Sequence, residues 1–413
     1  MKQEIENARK QFPEIIKQTP LEYNHRLSKM YNCNVYLKRE DMQIVRSYKI
    51  RGAYNRISQL STKERENGVI CASAGNHAQG FALACHDLGI NGTVVMPRTT
   101  PLQKIERTQS FGRNFITVEL IGDTYDEAYA HAQKVCSEKN VTFIHPFNDV
   151  ETIKGQGTVA YEIVTQLKET DVQADYIFIP VGGGGLIAGC AHYFKETIPS
   201  ATVIAVEPQG APGFTESLKK GEVVTLNKID SFVDGAAVRT IGDVSFNLAK
   251  EVVSETICVP EGSICSTILA FLKEEGIIIE PAGALSVDAL NHMRGRIQGK
   301  TVVCIVSGGN FDFERLPEIK ERSLRYEGLR KYYVVMFPQR PGALREFLNL
   351  LGEEDDIIRF EYLKKTSKER GPALVGLQTK RPENFTELHA RLTQSGISFE
   401  DVTNDEMYYD LLI

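Results

Sequence analysis

The sequence lacks the features that would indicate a membrane protein, a nucleic-acid-binding protein or a disulfide-rich secreted protein. It contains no uncharged run of eighteen apolar residues, and residues 1–10 read as a charged helix without an apolar centre. Lysine and arginine number 48 against 54 aspartates and glutamates, so the net charge of −6 offers no basic surface for nucleic acid. The eight cysteines form no C-x-x-C pair and have no histidine at metal-ligand spacing, which indicates buried free thiols. We therefore expect a soluble, cytoplasmic protein whose partners are small molecules and copies of itself, without nucleic acid or membrane.

Strand-like and helix-like segments alternate from residue 34 to about residue 320, which predicts an α/β part built on parallel sheets. The predicted strands lie near residues 68–72, 92–96, 115–119, 141–144, 175–181, 202–206 and 301–306. Farther on, the predicted order is strand (332–338), helix (341–351), strand (357–363), strand (373–377), helix (385–392) and strand (397–402). This β-α-β-β-α-β order is that of a small α+β, ferredoxin-like unit. The predicted domains are residues 1–325 and 330–413.

A run of four glycines stands between an apolar strand-like segment and a helix-like one, and we call it the glycine loop. It consists of Gly182, Gly183, Gly184 and Gly185, and Leu186 follows it. Successive backbone N–H groups of such a loop can converge on one point, and the helix N-terminus adds about half a positive charge beside them. The loop therefore favours a phosphate group.

The glycines are also compatible with a second kind of cofactor, a nicotinamide dinucleotide. Gly183, Gly185 and Ala188 satisfy the dinucleotide pattern G-x-G-x-x-G/A, and Glu207 stands about where that pattern needs an acid for the ribose. A nicotinamide-dependent dehydrogenase is thus the alternative function. A P-loop is excluded, because Cys190 and the residue after it replace the required Lys-Ser/Thr.

Lys49, in Ser47-Tyr48-Lys49-Ile50-Arg51-Gly52-Ala53, is the candidate reactive amine. Two more glycine-containing loops follow predicted strands: Ser73-Ala74-Gly75-Asn76-His77 and Ser307-Gly308-Gly309-Asn310. We expect all three loops to end strands at the same edge of one sheet, where open α/β folds bind ligands.

At these residues the chain resembles fold-type-II pyridoxal-phosphate enzymes, and most closely their threonine and serine dehydratase group. The similar segments occur in the family's order and also include Leu37-Lys38-Arg39-Glu40-Asp41 and Glu280-Pro281-Ala282-Gly283-Ala284. The C-terminal unit resembles the ACT-like regulatory domains of biosynthetic threonine dehydratases in Phe337-Pro338-Gln339-Arg340-Pro341-Gly342-Ala343-Leu344 and Phe360-Glu361-Tyr362-Leu363-Lys364-Lys365. The resemblance implies a two-lobed catalytic part similar to tryptophan synthase β, followed by one regulatory domain.

The resemblance also implies a role for each site residue. Lys49 would hold pyridoxal 5′-phosphate covalently and then remove the Cα proton of the substrate. The glycine loop and Leu186 would hold the phosphate, Asn76 would bond the 3′-oxygen, and Ser307 would face the pyridine nitrogen. The substrate carboxylate would be bound by main-chain N–H groups of the loop formed by Ser73, Ala74, Gly75, Asn76 and His77. The expected reaction converts L-threonine to 2-oxobutanoate and ammonia, with L-serine as a second substrate or, alternatively, as the main one.

Three further positions and the C-terminal unit need a separate interpretation. Ala74 stands where the similar serine racemases carry a serine that acts as second base, so we expect no racemisation. Glu207 survives from an acidic pair that holds a divalent cation in some relatives, but Gly213 replaces its partner, so we expect no metal site. Glu280 begins a helix, where its carboxylate is either a favourable N-terminal charge or a secondary site residue. The resemblance implies isoleucine as inhibitor, valine as opposing effector and a homo-oligomer, with a tetramer expected. The alternatives are a structural or dimerisation role for the unit and an idle amino-acid sensor.

Overall fold

The computed structural model describes residues 1–362, 369–405 and 407–408. The chain divides into two compact units, one ending at Phe311 and the other beginning at Asp312. This division assigns the helix Leu316–Tyr326 to the second unit, whereas the sequence-based boundary at residue 325 assigned it to the first. In the described part of the chain, no helix has the length and apolar character needed to cross a membrane.

The first unit contains two sheets, whose strands alternate with helices along the chain. The strands are β1 (Leu21–Tyr23), β2 (Asn34–Arg39), β3 (Val69–Ala72), β4 (Gly92–Met96), β5 (Ile116–Leu120), β6 (Thr142–Phe143), β7 (Tyr176–Pro180), β8 (Thr202–Pro208), β9 (Glu255–Val259) and β10 (Thr301–Val306). The helices are α1 (Lys2–Lys10), α2 (His25–Tyr31), α3 (Lys49–Ser58), α4 (Thr62–Asn67), α5 (Asn76–Leu88), α6 (Leu102–Gly112), α7 (Tyr125–Lys139), α8 (Val150–Glu169), α9 (Gly185–Thr197), α10 (Gly213–Lys220), α11 (Asp243–Ala249), α12 (Glu261–Ala270), α13 (Pro281–Asp288) and α14 (Leu290–Ile297).

The larger sheet has the order β1-β2-β10-β7-β8-β9, and the smaller has the order β5-β4-β3-β6. All neighbouring strands are parallel except β1, which runs antiparallel to β2. The apolar runs of β3, β7 and β10 are buried, as expected for strands covered on both faces. The α/β prediction with parallel sheets is confirmed.

The expectation that three glycine-containing loops share one sheet edge is wrong. The loops at residue 182 and residue 307 follow β7 and β10 of the larger sheet, but the loop at residue 73 follows β3 of the smaller sheet. Each sheet contributes part of the candidate site. The strand pattern alone contains no signal for this split, because the strands that precede the three loops, β3 in one sheet and β7 and β10 in the other, are all apolar and buried.

A buried ionic network joins β2, α3 and α8 near the start of α3. Arg51 donates to both Glu40 oxygens at 2.7 and 2.8 Å and to both Glu162 oxygens at 2.8 Å. Lys38 donates to Glu162 at 2.8 Å, and Arg9 of α1 donates to the same carboxylate at 2.7 Å. Burial alone would raise the pKa of Glu162, but the Arg51 and Lys38 cations hold it below its usual range. The network fixes the helix that begins with Lys49 against α8.

The second unit has the predicted β-α-β-β-α-β order, after one helix. Its elements are α15 (Leu316–Tyr326), β11 (Arg330–Pro338), α16 (Ala343–Leu348), β12 (Asp356–Tyr362), β13 (Arg370–Gln378), α17 (Glu383–Gln394) and β14 (Ser398–Asp401). The strands form an antiparallel sheet in the order β12-β13-β11-β14. Alternate residues of β11, namely Tyr333, Val335 and Phe337, are buried in its core, as the period of two in a strand requires. Residues 363–365, which the predicted strand and the ACT-like motif include, lie outside the described residues.

Candidate active site

The candidate reactive amine belongs to Lys49, the first residue of α3. The preceding residue, Tyr48, donates its backbone N–H to the carbonyl of Ser307 at 3.1 Å, which joins the start of α3 to the end of β10. The Lys49 Nζ donates to the carbonyl oxygen of Pro146 at 3.2 Å. Burial lowers the pKa of Lys49 to about 8, against a smaller opposing effect of the Glu280 charge. A lysine with a lowered pKa supplies a neutral amine near physiological pH, which is the form that attacks an aldehyde.

Helix α5 lies directly against the start of α3 because residue 80 has no side chain. A Cβ added at Gly80 would lie 2.9 Å from the backbone nitrogen of Ile50 and 3.0 Å from the carbonyl carbon of Lys49. These distances are too short for any side chain without a shift of the backbone. Gly80 therefore lets the second turn of α5 approach the first turn of α3, although the two helices belong to different parts of the chain.

The glycine loop follows β7 and leads into α9, as predicted. Gly184 has φ +90°, a left-handed conformation that favours glycine, and α9 begins at the next residue. A Cβ at Gly183 would approach the ring of Phe147 to 2.2 Å, so the backbone is in direct contact with the loop after β6. A loop of bare backbone at a helix N-terminus fits a phosphate. Because Pro146 contacts the Lys49 amine, the same loop connects the amine to the phosphate cradle.

Asn76 and Glu280 form a hydrogen-bonded cluster with Asn310. The Asn76 Nδ2 donates to Glu280 Oε1 at 2.6 Å, and the backbone N–H of Asn310 donates to Glu280 Oε2 at 3.2 Å. Glu280 makes no capping hydrogen bond with its own helix, α13, so its carboxylate faces the cluster and is not a simple N-terminal cap. Burial, followed by repulsion from Asp234, raises the pKa of Glu280 to about 7.

Two main-chain N–H groups of the loop after β3 have acceptors within the protein. The Ser73 N–H donates to the Val95 carbonyl at 3.1 Å, and the Gly75 N–H donates to the Ser73 hydroxyl at 3.3 Å. The first N–H groups of a helix have no intrahelical acceptor, which leaves Asn76 and His77 at the start of α5 as candidate donors to a carboxylate. The buried His77 ring contacts the Ile144 carbonyl at 3.0 Å, and burial lowers its pKa to about 3, with a further contribution from Lys49.

Glu207, the candidate ribose-binding acid of the nicotinamide alternative, is buried and accepts hydrogen bonds from other residues of the protein. Its oxygens accept from the backbone of Phe214 at 2.7 Å and from the backbone and hydroxyl of Thr215 at 2.8 and 2.7 Å. Burial raises its pKa to about 7. Among the described residues, no group of three or more histidine, cysteine, aspartate or glutamate side chains is arranged to hold a metal ion.

Comparison with known proteins identifies the family. Residues 13–308 match the pyridoxal-phosphate dependent enzyme family, and residues 321–412 match the C-terminal regulatory domain of threonine dehydratase. The chain belongs to the threonine dehydratase family of pyridoxal-phosphate dependent enzymes. It is 50% identical over 410 residues to the L-threonine dehydratase biosynthetic IlvA of Bacillus subtilis (strain 168), covering 99% of this chain and 96% of that protein.

Two further relatives agree. The L-threonine dehydratase biosynthetic IlvA of Staphylococcus aureus (strain NCTC 8325 / PS 47) is 49% identical over 412 residues, covering 99% of this chain and 98% of that protein. The solved structure of the processed form of threonine deaminase isoform 2 from Solanum lycopersicum has a TM-score of 0.73 at 40% identity, covering 78% of this chain and 92% of that chain. Family membership confirms pyridoxal phosphate as cofactor, and the nicotinamide alternative is wrong.

Sequence reasoning missed three groups that surround the predicted residues. Pro146 and Phe147 follow the short strand β6, and their position at a carboxyl end of a parallel strand was the available signal. Asn310 is the last residue of a predicted loop but was given no role. Arg107, which donates to the Asn310 side chain at 2.8 Å, lies within α6 and carries no local motif.

Proposed function

We propose that the chain is an L-threonine ammonia-lyase, which converts L-threonine to 2-oxobutanoate and ammonia in isoleucine biosynthesis. The names of its relatives support the substrate and the pathway. The observation that carries the proposal is the Lys49 amine, with its lowered pKa, beside the loop that also contacts the glycine loop. L-serine, with one methyl group fewer, is the expected second substrate, because a missing methyl group costs a pocket only about 1–3 kcal/mol of discrimination.

The residues of the chain divide the work of β-elimination. Bound pyridoxal phosphate supplies the electron sink for the negative charge left at Cα. Lys49 would hold the cofactor through its amine and, with that amine free, would take the Cα proton. The β-hydroxyl would leave with one proton as water, so the elimination removes one H and one OH from the substrate. The enamine product then tautomerises and takes up water to release ammonia and the 2-oxo acid. A neutral Ser307 hydroxyl at the pyridine nitrogen would leave that nitrogen unprotonated, which would make the ring a weaker electron sink. Negative charge at Cα would then persist for less time, so loss of the β-hydroxyl would compete well with other fates of that charge.

The test is the Lys49→Ala variant, with 2-oxo acid release from L-threonine and L-serine as the assay. Loss of a positioned base should lower turnover by at least about 10²–10⁴-fold, and the purified variant should lack the visible colour of covalently held cofactor. Lys134→Ala, at a lysine with 69% side-chain exposure, is the matched control and should leave both unchanged. Near-normal turnover in a yellow Lys49→Ala protein would contradict the proposal, and a preference for L-serine would make the chain a serine dehydratase.

We further propose that the second unit binds an amino-acid effector, with isoleucine as inhibitor and valine opposing it. A cavity of about 160 Å³ lies between the loop before α16 and β12, lined by Phe337, Ala343, Leu344, Phe360 and the cation Arg340, among others. An apolar cavity of about 150 Å³ holds a benzene-sized molecule, so a branched aliphatic side chain fits. Arg340, which donates to both Glu346 oxygens at 2.7 and 2.8 Å, would exchange that partner for the effector carboxylate. This combination supports the proposal.

The effector proposal predicts that Arg340→Gln weakens isoleucine inhibition while activity without isoleucine stays unchanged. Lys380→Ala, at an exposed lysine of the same unit, is the control. Isoleucine titrations of the three proteins measure the effect, and an unchanged inhibition constant in Arg340→Gln would exclude this cavity. We also propose a homo-oligomer, expected to be a tetramer, which sedimentation equilibrium measures directly.

A further inference from the structure

The side chain of Asn310 makes three hydrogen bonds that connect both sheets of the first unit. Its Nδ2 donates to Asn76 Oδ1 at 2.6 Å and to the Val45 carbonyl at 2.8 Å, and its Oδ1 accepts from Arg107 Nη1 at 2.8 Å. Its backbone N–H donates to Glu280. One residue therefore contacts both members of the Asn76–Glu280 pair.

The chemistry of these partners fixes which way each amide points. A guanidinium group only donates and a backbone carbonyl only accepts. Arg107 therefore requires the Asn310 oxygen on its side, and Val45 requires the Asn310 nitrogen on the other. With the Asn310 nitrogen facing Asn76, the Asn76 atom that meets it must be Oδ1. The Asn76 nitrogen must then face Glu280, so the orientation follows from the partners and not from an arbitrary choice between oxygen and nitrogen.

We infer that Asn310, itself oriented by Arg107, is a positioning residue that presents the N–H₂ group of Asn76 to the cofactor. This inference rests on the proposed function, in which Asn76 bonds the 3′-oxygen of pyridoxal phosphate. One Asn76 N–H is used by Glu280, and the second is the donor for the 3′-oxygen. With the amide reversed, a carbonyl oxygen would face the negatively polarised 3′-oxygen, and a charge-assisted hydrogen bond would become a repulsion.

Two substitutions at Asn310 test the inference. Asn310→Asp keeps the size and strengthens the contact with Arg107, but it removes the donor and makes the reversed Asn76 amide the favourable one. Asn310→Ala removes the donor without a change of charge. For both variants, we expect the cofactor dissociation constant, measured by equilibrium dialysis, to rise about tenfold, the equivalent of one lost hydrogen bond. We also expect a shifted visible absorption maximum and a shifted pH midpoint of that absorption.

Arg107→Met gives an independent test that leaves Asn310 in place. Asn310 then keeps the Val45 carbonyl and Asn76 Oδ1 as acceptors but loses the donor to its own Oδ1, so we expect a spectral shift in the same direction but smaller. Asn67→Asp is the control, because Asn67 is an exposed amide that donates to the Asn140 carbonyl and belongs to no site. Circular dichroism establishes whether each variant is folded. If the Asn310 variants do not fold, the spectrum of Arg107→Met tests the positioning role of Asn310.

The outcomes separate this inference from the proposed function. A colourless, inactive wild-type protein would refute the proposed function itself. If Asn76→Ala shifts the absorption and weakens cofactor binding while Asn310→Ala and Arg107→Met leave both unchanged, Asn76 keeps its role and the positioning role of Asn310 is refuted. Graded shifts in the order Asn76→Ala, Asn310→Ala and Arg107→Met support the inference.

Discussion

The buried carboxylate of Glu162 should make one of the largest single contributions to the stability of the first unit. Glu162 is 1% exposed and accepts from Arg9, Lys38 and Arg51. Glu162→Gln keeps the shape of the side chain but removes its charge. Lys38, which is 0% exposed, then has only neutral acceptors within hydrogen-bond distance: the Thr19 carbonyl, the Gln166 side chain and the amide oxygen that the substitution leaves at position 162.

The expected cost follows from the cation that is left without a partner. Breaking a buried ion pair by removing one member costs about 3–5 kcal/mol. Arg51 keeps both bonds to Glu40, so we expect the lower end, about 3 kcal/mol. Because the pKa of Glu162 is held below its ordinary value of 4.5, its contribution is complete above pH 4.5 and is lost only as the pH falls toward the lowered value. The variant should therefore be less stable at pH 5 as well as at pH 7.

Urea unfolding measures the effect, with the visible absorbance of the bound cofactor as a probe of the first unit. The concentrations of free cofactor and of protein are the same for every variant, because both shift apparent stability. Glu255→Gln is the matched control, since Glu255 accepts two bonds from Arg296 at 2.7 and 2.9 Å but 35% of its side chain is exposed. A surface pair of this kind is worth about 0–1 kcal/mol.

A second substitution tests whether the loss of stability comes from the unpaired Lys38 cation or from a general disturbance of packing. In the Glu162→Gln background, Lys38→Met removes the unpaired cation and should recover part of the lost stability, by about 1 kcal/mol or more. If Glu162→Gln costs no more than Glu255→Gln, the buried network does not hold α3 against α8. If Lys38→Met worsens the double variant additively, the stranded-cation account fails.

Three further predictions concern the site and its regulation. The rate at which cofactor-free protein captures pyridoxal phosphate should rise with pH through about 8, because only the neutral Lys49 amine reacts; a flat profile in stopped-flow absorbance would argue against the lowered pKa. Wild-type protein should release 2-oxo acid from L-serine without D-serine, whereas Ala74→Ser should give a trace; substantial wild-type D-serine in chiral chromatography would refute the one-base account. A chain ending near Arg330 should still deaminate L-threonine but lose its response to isoleucine, and equal inhibition with and without residues 331–413 would place the effector site in the first unit.

The sequence predicted those parts of the fold and candidate site that depend on local chemistry. The glycine loop, the strands on either side of it and the order of elements in the second unit all follow from neighbouring residues. Contacts between distant residues were not predictable in this way. Asn310 meets Asn76 only because β10 and β3, in two different sheets, end close together. Glu280 illustrates the same limit, since its position at the start of a helix was recognisable in the sequence but its contacts with Asn76 and Asn310 were not.

The central position of β10 has a consequence for synthesis of the chain. This strand pairs with β2 on one side and β7 on the other, yet it is the last strand of the first unit to leave the ribosome. Until then the larger sheet exists as two separate pieces with unpaired edges, whereas the smaller sheet is complete once β6 has emerged. At about 5–20 residues per second, β1 and β2 wait many seconds for their partner, and so short a strand pair is marginal alone. Lys49 is made early and Ser307 late, so the proposed cofactor site is incomplete in the nascent chain until nearly the whole first unit has been translated.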